Sequence, residues 1–469
     1  MALKSITFTV PKTTPAGTYR IYGGYLDVTH RSGGYEWLDK YAKFYRMEIS
    51  DLTITVLKGD IETVEDLIDA IGANVTLDSE AAITAAKSAY DALSDEDKAL
   101  VDADKVDALT AAIIRLNQLK HADLMANLDT IYKTTGDFMA TLGTPTVNST
   151  GGEWMVIGLA RSGRTVPAGY YDNVVEYVKA KADANERLHP AKVTDNARVI
   201  LALTAIGKDV TNVGGHNLLK GLDNMDYVQT QDINGPIFTL IALDSHNYPT
   251  MGDVTREKLI QVILDAQLPD GGWNLSGENA DPDMTAMAIQ ALAPYYKTNE
   301  TVKAAVDKAL EALSALQRTD GGFGSWGTVN SESCAQVIVA LTALGIDPTA
   351  DSRFVKNGHT VLDALAGFYV TGGGFRHTAG GERNDMATEQ GYYALAAYYR
   401  FLNGQTRLYD MSDVAIQTGG TSGGANSGNG TNNGGTPATG DTGVLVWVIA
   451  LPVTILAAAF VLKRKEREA

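Results

Sequence analysis

The feature that most constrains this chain is a short phrase, rich in alanine and leucine, that recurs through residues 121–405. The copies are separated by 44, 40, 49, 49 and 54 residues and begin at Gly158, Ala202, Ala242, Ala291, Ala340 and Ala394. Each interval accommodates two helices and two loops, which is typical of a helical-hairpin repeat. Alanine at these positions lets neighbouring helices approach closely. The period alone is compatible with a closed double-layered ring or with an open solenoid.

The loops between the repeats carry a second pattern. Residues 267–273 read Gln-Leu-Pro-Asp-Gly-Gly-Trp, residues 317–323 read Gln-Arg-Thr-Asp-Gly-Gly-Phe, and residues 369–375 repeat the pattern in degenerate form. Asp-Gly-Gly predicts a tight turn in which glycine supplies a positive φ. The glutamine amide can then satisfy backbone groups at a neighbouring helix end. We therefore predict a structural role for these loops.

This Gln-x-x-x-Gly-x-aromatic pattern resembles the QW motif of squalene and oxidosqualene cyclases and the related loops of protein prenyltransferases and transcobalamin-like carriers. The resemblance covers residues 121–405 and implies an α/α toroid with a central cavity. The predicted fold class is therefore mainly α. We expect a small, partial β-sandwich-like segment over residues 1–57 and a helical spacer over residues 58–120 to precede the toroid.

In such toroids the functional residues gather where the inner helices start, at one mouth of the ring. The expected starts lie near Thr194, Asp281, Asn330 and Asn384. The same residue types also cap helices and complement the helix dipole, so capping is the alternative for each of them. The predicted ligand contacts combine aromatic and polar side chains. They are Trp273, Asp283, Trp326, Glu332, Arg376, His377, Glu389 and Tyr392.

Two enzymatic relatives imply different chemistry. Residues 281–286 read Asp-Pro-Asp-Met-Thr-Ala, which aligns Asp283 with the acid that protonates an alkene in squalene-type cyclases, so Asp283 is the catalytic residue if the chain is an enzyme. Met284 replaces a neighbouring acid of that motif, and such cyclases use two helical domains. Protein prenyltransferases bind zinc through Asp-x-Cys and a later His. Glu332 and Cys334 mimic only the first part, so we predict no metal site.

Binding is the leading hypothesis. Residues 283–288 resemble the inner helix of transcobalamin and intrinsic-factor toroids, which implies a corrinoid-like ligand, although residues 406–436 are too short and too rich in glycine to form the β domain that covers it in those proteins. We therefore expect noncovalent binding of a small organic, corrinoid-like or glycan ligand, with no cofactor. The alternatives are an isoprenoid-processing enzyme and a structural adhesin or stalk. A thioester adhesin is disfavoured because Val337, and not Gln, stands three residues after Cys334.

The C-terminal region predicts attachment to a cell surface. Residues 406–436 are rich in Gly, Ser, Asn and Thr and predict a flexible linker. Residues 443–462 carry no charge and are followed by a basic cluster, which predicts a transmembrane helix with a cytoplasmic tail. The segment 436–441 reads Thr-Pro-Ala-Thr-Gly-Asp, and this order resembles a sortase sorting signal. The resemblance implies cleavage between Thr439 and Gly440 and linkage to peptidoglycan. Because Thr436 stands where such signals usually have Leu, a non-housekeeping sortase and simple membrane anchoring are the alternatives.

The remaining predictions concern charge and the N-terminal region. A formal net charge of −17 argues against a nucleic-acid partner. Alternating residues predict strands over 6–10, 19–25 and 52–56, and helical spacing begins near residue 60. Residues 1–10 do not resemble a secretion signal, whereas an exported chain needs one, so we expect this N-terminus to be truncated or misassigned.

Overall fold

The structure is a computed structural model that describes residues 17–21, 25–28, 45–48, 52–56 and 59–417. The chain divides into two compact units, and the second unit begins at Ala122. Among the described residues, no helix is long and apolar enough to cross a membrane. The predicted membrane helix at 443–462 and the sorting signal lie outside the described residues.

The first unit begins with two pairs of short antiparallel strands. They are β1 (Gly17–Ile21), β2 (Tyr25–Val28), β3 (Tyr45–Glu48) and β4 (Leu52–Val56). Strand β1 pairs with β4, and β2 pairs with β3. Strand β4 occupies the predicted segment 52–56, whereas the predicted strand at 6–10 lies outside the described residues.

Four helices follow in the first unit. They are α1 (Asp60–Asp69), α2 (Glu80–Ala92), α3 (Asp95–Lys98) and the first part of α4 (Ala103–Ala140). Val64, Ile68, Ala86 and Leu109 form a small core, because apolar residues three or four positions apart share one face of a helix. Helix α4 continues without a break past residue 120, where the sequence predicts the boundary between spacer and toroid.

The second unit contains six helices that form an inner layer. They are α5 (Trp154–Arg161), α7 (Val193–Ala205), α9 (Asn234–Asp244), α11 (Pro282–Leu292), α13 (Ser331–Leu344) and α15 (Asp385–Leu402). The helices that alternate with them are the rest of α4, α6 (Tyr170–Lys181), α8 (Met225–Val228), α10 (Arg256–Asp265), α12 (Glu300–Leu316) and α14 (Val361–Gly367). Two short hairpins precede the last two inner helices. They are β5 (Gly324–Ser325) with β6 (Thr328–Val329), and β7 (Phe375–Arg376) with β8 (Arg383–Asn384).

The inner helices form a closed ring. Each packs on the next in chain order, from α5 through α13 to α15, and α15 packs back on α5. The closing contact is tight, because a Cβ atom at Gly158 would lie 3.1 Å from Tyr392 Cδ1. An open solenoid has no contact between its first and last repeats. The second unit is therefore a mainly α-helical, toroid-like domain.

The glutamine loops join neighbouring outer elements, as predicted. Gln267 Nε2 donates to the carbonyls of Gly271 and Ala305, at 2.7 and 2.8 Å. Gln317 makes the equivalent pair of bonds in the next repeat, to Gly321 and Phe354. One amide therefore closes its own turn and ties that turn to the following outer segment.

Residues 406–417, which we call the C-terminal strap, pack against the ring at the ends of the inner helices. Buried Arg161 at the end of α5 donates to the carbonyls of Leu408, Arg407 and Asp410 and to the side chains of Thr406 and Asp413. The strap also bonds through its backbone, from Met411 N to Ser245 O and from Gln417 N to Gly207 O.

The strap corrects the predicted start of the linker at residue 406. Leu408 and Met411 are buried, and Arg400 joins Arg161 in binding the Asp413 carboxylate. This part of the segment carries apolar and acidic side chains, whereas the Gly, Ser and Asn residues that define a flexible linker come later. Residues 418–436 lie outside the described residues.

We predict that Arg161→Met destabilises the protein by about 3–5 kcal/mol, because the substitution leaves buried strap acceptors without a donor. Urea denaturation followed by circular dichroism measures the change. Lys303→Met is the control, because the Lys303–Asp307 pair is solvent-exposed and its loss should cost less than about 1 kcal/mol. Equal effects of the two substitutions would contradict the assigned role of the strap.

Candidate functional site

The repeated loops set a common register for the inner helices. In the three repeats that carry these loops, the backbone N–H of the loop aromatic residue bonds to a side chain near the start of the next inner helix. The pairs are Trp273 with Thr285, Phe323 with the Cys334 thiol, and Phe375 with Thr388. Because the register is the same, residues counted from these positions are equivalent in α11, α13 and α15.

Three equivalent residues lie two positions before Thr285, Cys334 and Thr388, which accept these hydrogen bonds. They are Asp283, Glu332 and Met386, in the first turns of three successive inner helices. Since these helices run side by side in the ring, their first turns lie at the same end of it. We call this end the mouth. The sequence therefore places two acids and one apolar residue next to each other around the mouth.

The loop before each of the last inner helices reaches back to the start of the helix before it. Ser325, in the hairpin before α13, donates its hydroxyl to Asp281, the N-cap of α11. The backbone carbonyl of His377, in the hairpin before α15, accepts from Ser331 N at 3.1 Å. These contacts hold both hairpins over the mouth.

Glu332 and His377 form the best-defined polar pair at the mouth. His377 Nδ1 lies 2.9 and 3.0 Å from the two carboxylate oxygens of Glu332. The Ser331 hydroxyl donates to the same carboxylate at 3.0 Å. Glu332 is buried, whereas the side chain of His377 is 51% exposed. The carboxylate is therefore held in one orientation by partners on two elements.

Asp283 is the least satisfied acid at the mouth. Burial, with smaller contributions from the negative charges of Asp281 and Glu332, raises its pKa to about 6. Its Oδ1 atom and Oγ of the neighbouring Ser333 are both buried and make no close hydrogen bond, but a looser hydrogen bond from the Ser333 hydroxyl lowers the pKa of Asp283. The two groups therefore face each other with poorer geometry than buried polar groups normally have.

Glu389 lies where the ring closes. Its Oε1 atom accepts from Gly151 N at 2.7 Å, which ties the loop before α5 to the start of α15. The residue is 1% exposed, and its Oε2 atom has no partner. Burial, with smaller contributions from Asp385 and Glu153, raises its pKa to about 8. Glu389 was predicted as a ligand contact, but its observed partner is the protein backbone.

Two predicted ligand contacts belong to the core. Trp273 is fully buried, and its indole Nε1 donates to Ile263 O at 2.7 Å. Tyr392 is also fully buried, stacks on Tyr132 and donates to the Ser162 hydroxyl at 2.9 Å. The structure corrects these two assignments, because neither ring reaches a surface that a ligand could contact.

Trp326 and Arg376 lie in the two hairpins near the mouth. Trp326 is 79% exposed at the tip of the hairpin formed by β5 and β6. Arg376 donates from Nη2 to Tyr369 O at 3.0 Å, and its buried Nε has no partner. Trp326 is thus available to a ligand, whereas Arg376 is partly committed to its own loop.

A polar network inside the ring was not predicted. Gln290 donates to Gln336, which donates in turn to Gln390 and to the Tyr393 hydroxyl, at 3.0, 3.0 and 2.6 Å. Burial, followed by the phenol of Tyr409 in the strap, raises the pKa of Tyr393 well above its usual range. The network occupies the space between α11, α13 and α15. The repeat register could have revealed it, since Gln336 and Gln390 occupy equivalent positions.

The cysteine and the histidines do not assemble a metal site in the part of the chain that the structure describes, where no group of three or more His, Cys, Asp or Glu side chains could hold an ion. Cys334 is fully buried in its helix, and burial raises the pKa of its thiol to about 12. Its thiol therefore accepts the backbone N–H of Phe323, as the hydroxyls of Thr285 and Thr388 accept those of Trp273 and Phe375 in the neighbouring repeats.

The part of the ring that contains this mouth has a recognisable family pattern. Residues 215–383 match the family model of the prenyltransferase α/α-toroid domain. The matched span includes Asp283, Glu332 and His377 and ends before α15. No curated protein gives a significant match to the chain.

Two solved structures show partial similarity. The ent-copalyl diphosphate synthase of Streptomyces platensis is 18% identical, with a TM-score of 0.36 over 74% of this chain and 86% of that one. A possible GH105 family member from Salmonella enterica is 12% identical, with a TM-score of 0.28 over 61% of this chain and 82% of that one. At these TM-scores neither structure bears on the chemistry of the mouth.

We predict that Asp283→Asn makes the protein more stable at pH 7, by about 1–3 kcal/mol. The folded-state pKa of Asp283 is raised to about 6, so the native state keeps a proton that the unfolded chain has already lost. The wild type therefore loses stability as pH rises from about 4 to 6, and the asparagine variant avoids that loss. Urea denaturation at several pH values measures the difference.

Glu389→Gln should show the same sign over a wider range, because the pKa of Glu389 is raised to about 8. Asp351→Asn is the control of opposite sign, since a hydrogen bond from Arg353 lowers the pKa of Asp351. That control should become less stable than the wild type above about pH 4. A difference between Asp283→Asn and the wild type that does not change between pH 4 and pH 7 would contradict the prediction.

Proposed function

We propose that this protein is a surface-displayed α/α toroid that binds a small organic ligand noncovalently at the mouth. The observation that carries the proposal is a pair of acids in neighbouring inner helices, the partly buried Asp283 with its raised pKa and the fixed carboxylate of Glu332. Two carboxyl groups close together in a partly buried site disfavour each other's ionised form. A ligand that supplies a positive charge or a hydrogen-bond donor offsets part of that cost.

The mouth is suited to binding because its polar groups are already oriented. His377 and Ser331 hold Glu332, and Ser325 holds Asp281, so little ordering is needed when a ligand arrives. Such preorganisation raises affinity by lowering the entropic cost of association. Of the predicted contacts, Asp283, Glu332, His377 and Trp326 belong to this binding proposal.

An isoprenoid-processing enzyme is the second candidate, favoured by the family match and by the position of Asp283. Its carboxyl group, with a pKa of about 6, keeps part of its proton in mildly acidic solution. However, a polyprenyl chain needs an apolar cavity, and the glutamine network occupies the space between α11, α13 and α15. The enzyme hypothesis predicts turnover of geranylgeranyl diphosphate or squalene that Asp283→Asn abolishes without unfolding. The binding proposal predicts no turnover.

Ligand binding is tested by native mass spectrometry of the protein purified from its own host. We expect a bound small molecule in the wild type and its loss in the Asp283→Asn/Glu332→Gln variant, because both carboxylates belong to the proposed site. Asp351→Asn is the matched control and should keep the ligand.

A thermal-shift panel that includes cobalamin, a peptidoglycan glycan and geranylgeranyl diphosphate complements that experiment. Ligands that raise the melting temperature of the wild type should not do so in the double variant. If no molecule co-purifies and none of the panel raises the melting temperature, the ring is a structural adhesin or stalk module and the binding proposal is wrong.

We also propose that the chain is displayed on a Gram-positive cell surface. The order of the segment 436–441, the uncharged residues 443–462 and the basic tail supports this proposal. Muramidase digestion of the wall should release a protein that ends at Thr439 and carries a peptidoglycan fragment.

The anchoring prediction has a matched pair of variants. Thr439→Ala/Gly440→Ala should abolish covalent wall linkage and leave the chain in the membrane fraction. Thr436→Leu, which restores the usual first residue of the sorting signal, should preserve the linkage. Recovery of an intact C-terminus up to Ala469 in the wall-linked wild-type protein would contradict sorting.

A further inference from the structure

Large apolar side chains are exposed at the same end of the ring as the acids. Leu275, Trp326 and Met386 are 39%, 79% and 40% exposed. Leu275 and Trp326 lie in the loops that lead into α11 and α13, and Met386 lies in the first turn of α15. All three therefore belong to the mouth, in successive repeats.

Trp326 has a backbone conformation that tryptophan rarely adopts. Its φ is +50° in the two-residue turn between β5 and β6, and Gly327 follows with a φ of +79°. Turns of this kind favour Asn, Asp or Gly, and a bulky residue with positive φ costs roughly 1–3 kcal/mol. The adjacent Ser325 hydroxyl anchors the hairpin to Asp281. A strained but anchored position that displays an indole ring to solvent is typical of a contact site.

The acidic and apolar groups alternate around the mouth. Asp283 and Leu275 belong to the repeat of α11, Glu332 and Trp326 belong to that of α13, and in α15 the residue equivalent to the acids is Met386. A ligand that contacts neighbouring repeats therefore meets carboxylates and apolar side chains side by side. The Trp326 ring can cover an apolar group or stack on a cation.

We propose, on the basis of the binding function inferred above, that the ligand is an amphiphilic organic cation, that is, an amine or quaternary ammonium group attached to an apolar body. Its cationic group binds Asp283 and Glu332, and its apolar body covers Trp326, Met386 and Leu275. His377 and Arg376 also lie at the mouth, but His377 is paired with Glu332 and Arg376 donates to Tyr369 O, so an anionic ligand would face two carboxylates and a chain with a net charge of −17. A glycan could stack on Trp326 but would gain little from Leu275 and Met386.

Decyltrimethylammonium, used below its micelle-forming concentration, is the probe, and isothermal titration calorimetry measures its affinity for the full protein. Decyl sulfate has the same chain with the opposite charge, and tetramethylammonium has the cation without the chain. We expect decyltrimethylammonium to bind at least tenfold more tightly than either control compound, because only this probe satisfies both parts of the mouth.

Substitutions at exposed positions test the location without disturbing the core. Met386→Lys should weaken binding of decyltrimethylammonium at least tenfold, since it places a positive charge in the mouth, whereas Met386→Gln should weaken it less than threefold. Trp326→Ala should weaken binding several-fold. Leu402→Ala, an exposed position at the opposite end of α15, should leave the affinity unchanged.

Three results would overturn the proposal: no binding of the probe at millimolar concentration, equal binding of decyl sulfate, or equal affinity of Met386→Lys and the wild type. None of these three results by itself contradicts noncovalent ligand binding at the mouth. A neutral or anionic molecule that co-purifies with the wild type and is lost in the Asp283→Asn/Glu332→Gln variant would refute the cationic class alone. Loss of both kinds of binding would refute the ligand site as a whole.

Discussion

The packing of α15 on α5 is the contact on which the rest of the domain depends. It is close at Gly158, where an added Cβ atom would lie 3.1 Å from Tyr392 Cδ1, and it is reinforced where Gly151 N donates to buried Glu389. Once the ring is closed, all inner helices must start at the same end. Closure therefore converts a linear repeat into a mouth at which residues distant in sequence become neighbours.

The two ends of the ring are built by different means. At the mouth, each hairpin reaches back to the preceding helix, so that Ser325 and His377 orient acids that belong to another repeat. At the other end, Arg161 and Arg400 hold the C-terminal strap through buried hydrogen bonds. The strap is thus part of the folded domain.

Much of the local structure could be predicted from residue types. Asp281, Asn330 and Asn384 are N-caps, as expected for Asp and Asn before a helical run, and the glutamine loops make the predicted bonds. Trp273 and Tyr392 show where such reasoning fails. The direction of the Trp273 ring depends on the path of its loop, and that of the Tyr392 ring depends on the rotation of α15, and sequence spacing gives neither.

The sequence by itself determined the helical-hairpin period, the helix caps, the turns and the acidic character of the inner-helix starts, because these depend on neighbours within a few residues. Tertiary structure alone decided that the repeats close, that residues 406–417 join the ring, and that the Asp283 carboxyl lies buried beside Ser333 and close to Glu332. Those features depend on contacts between residues far apart in the chain. Their free energies arise only when the backbone carbonyls and side chains of different repeats meet.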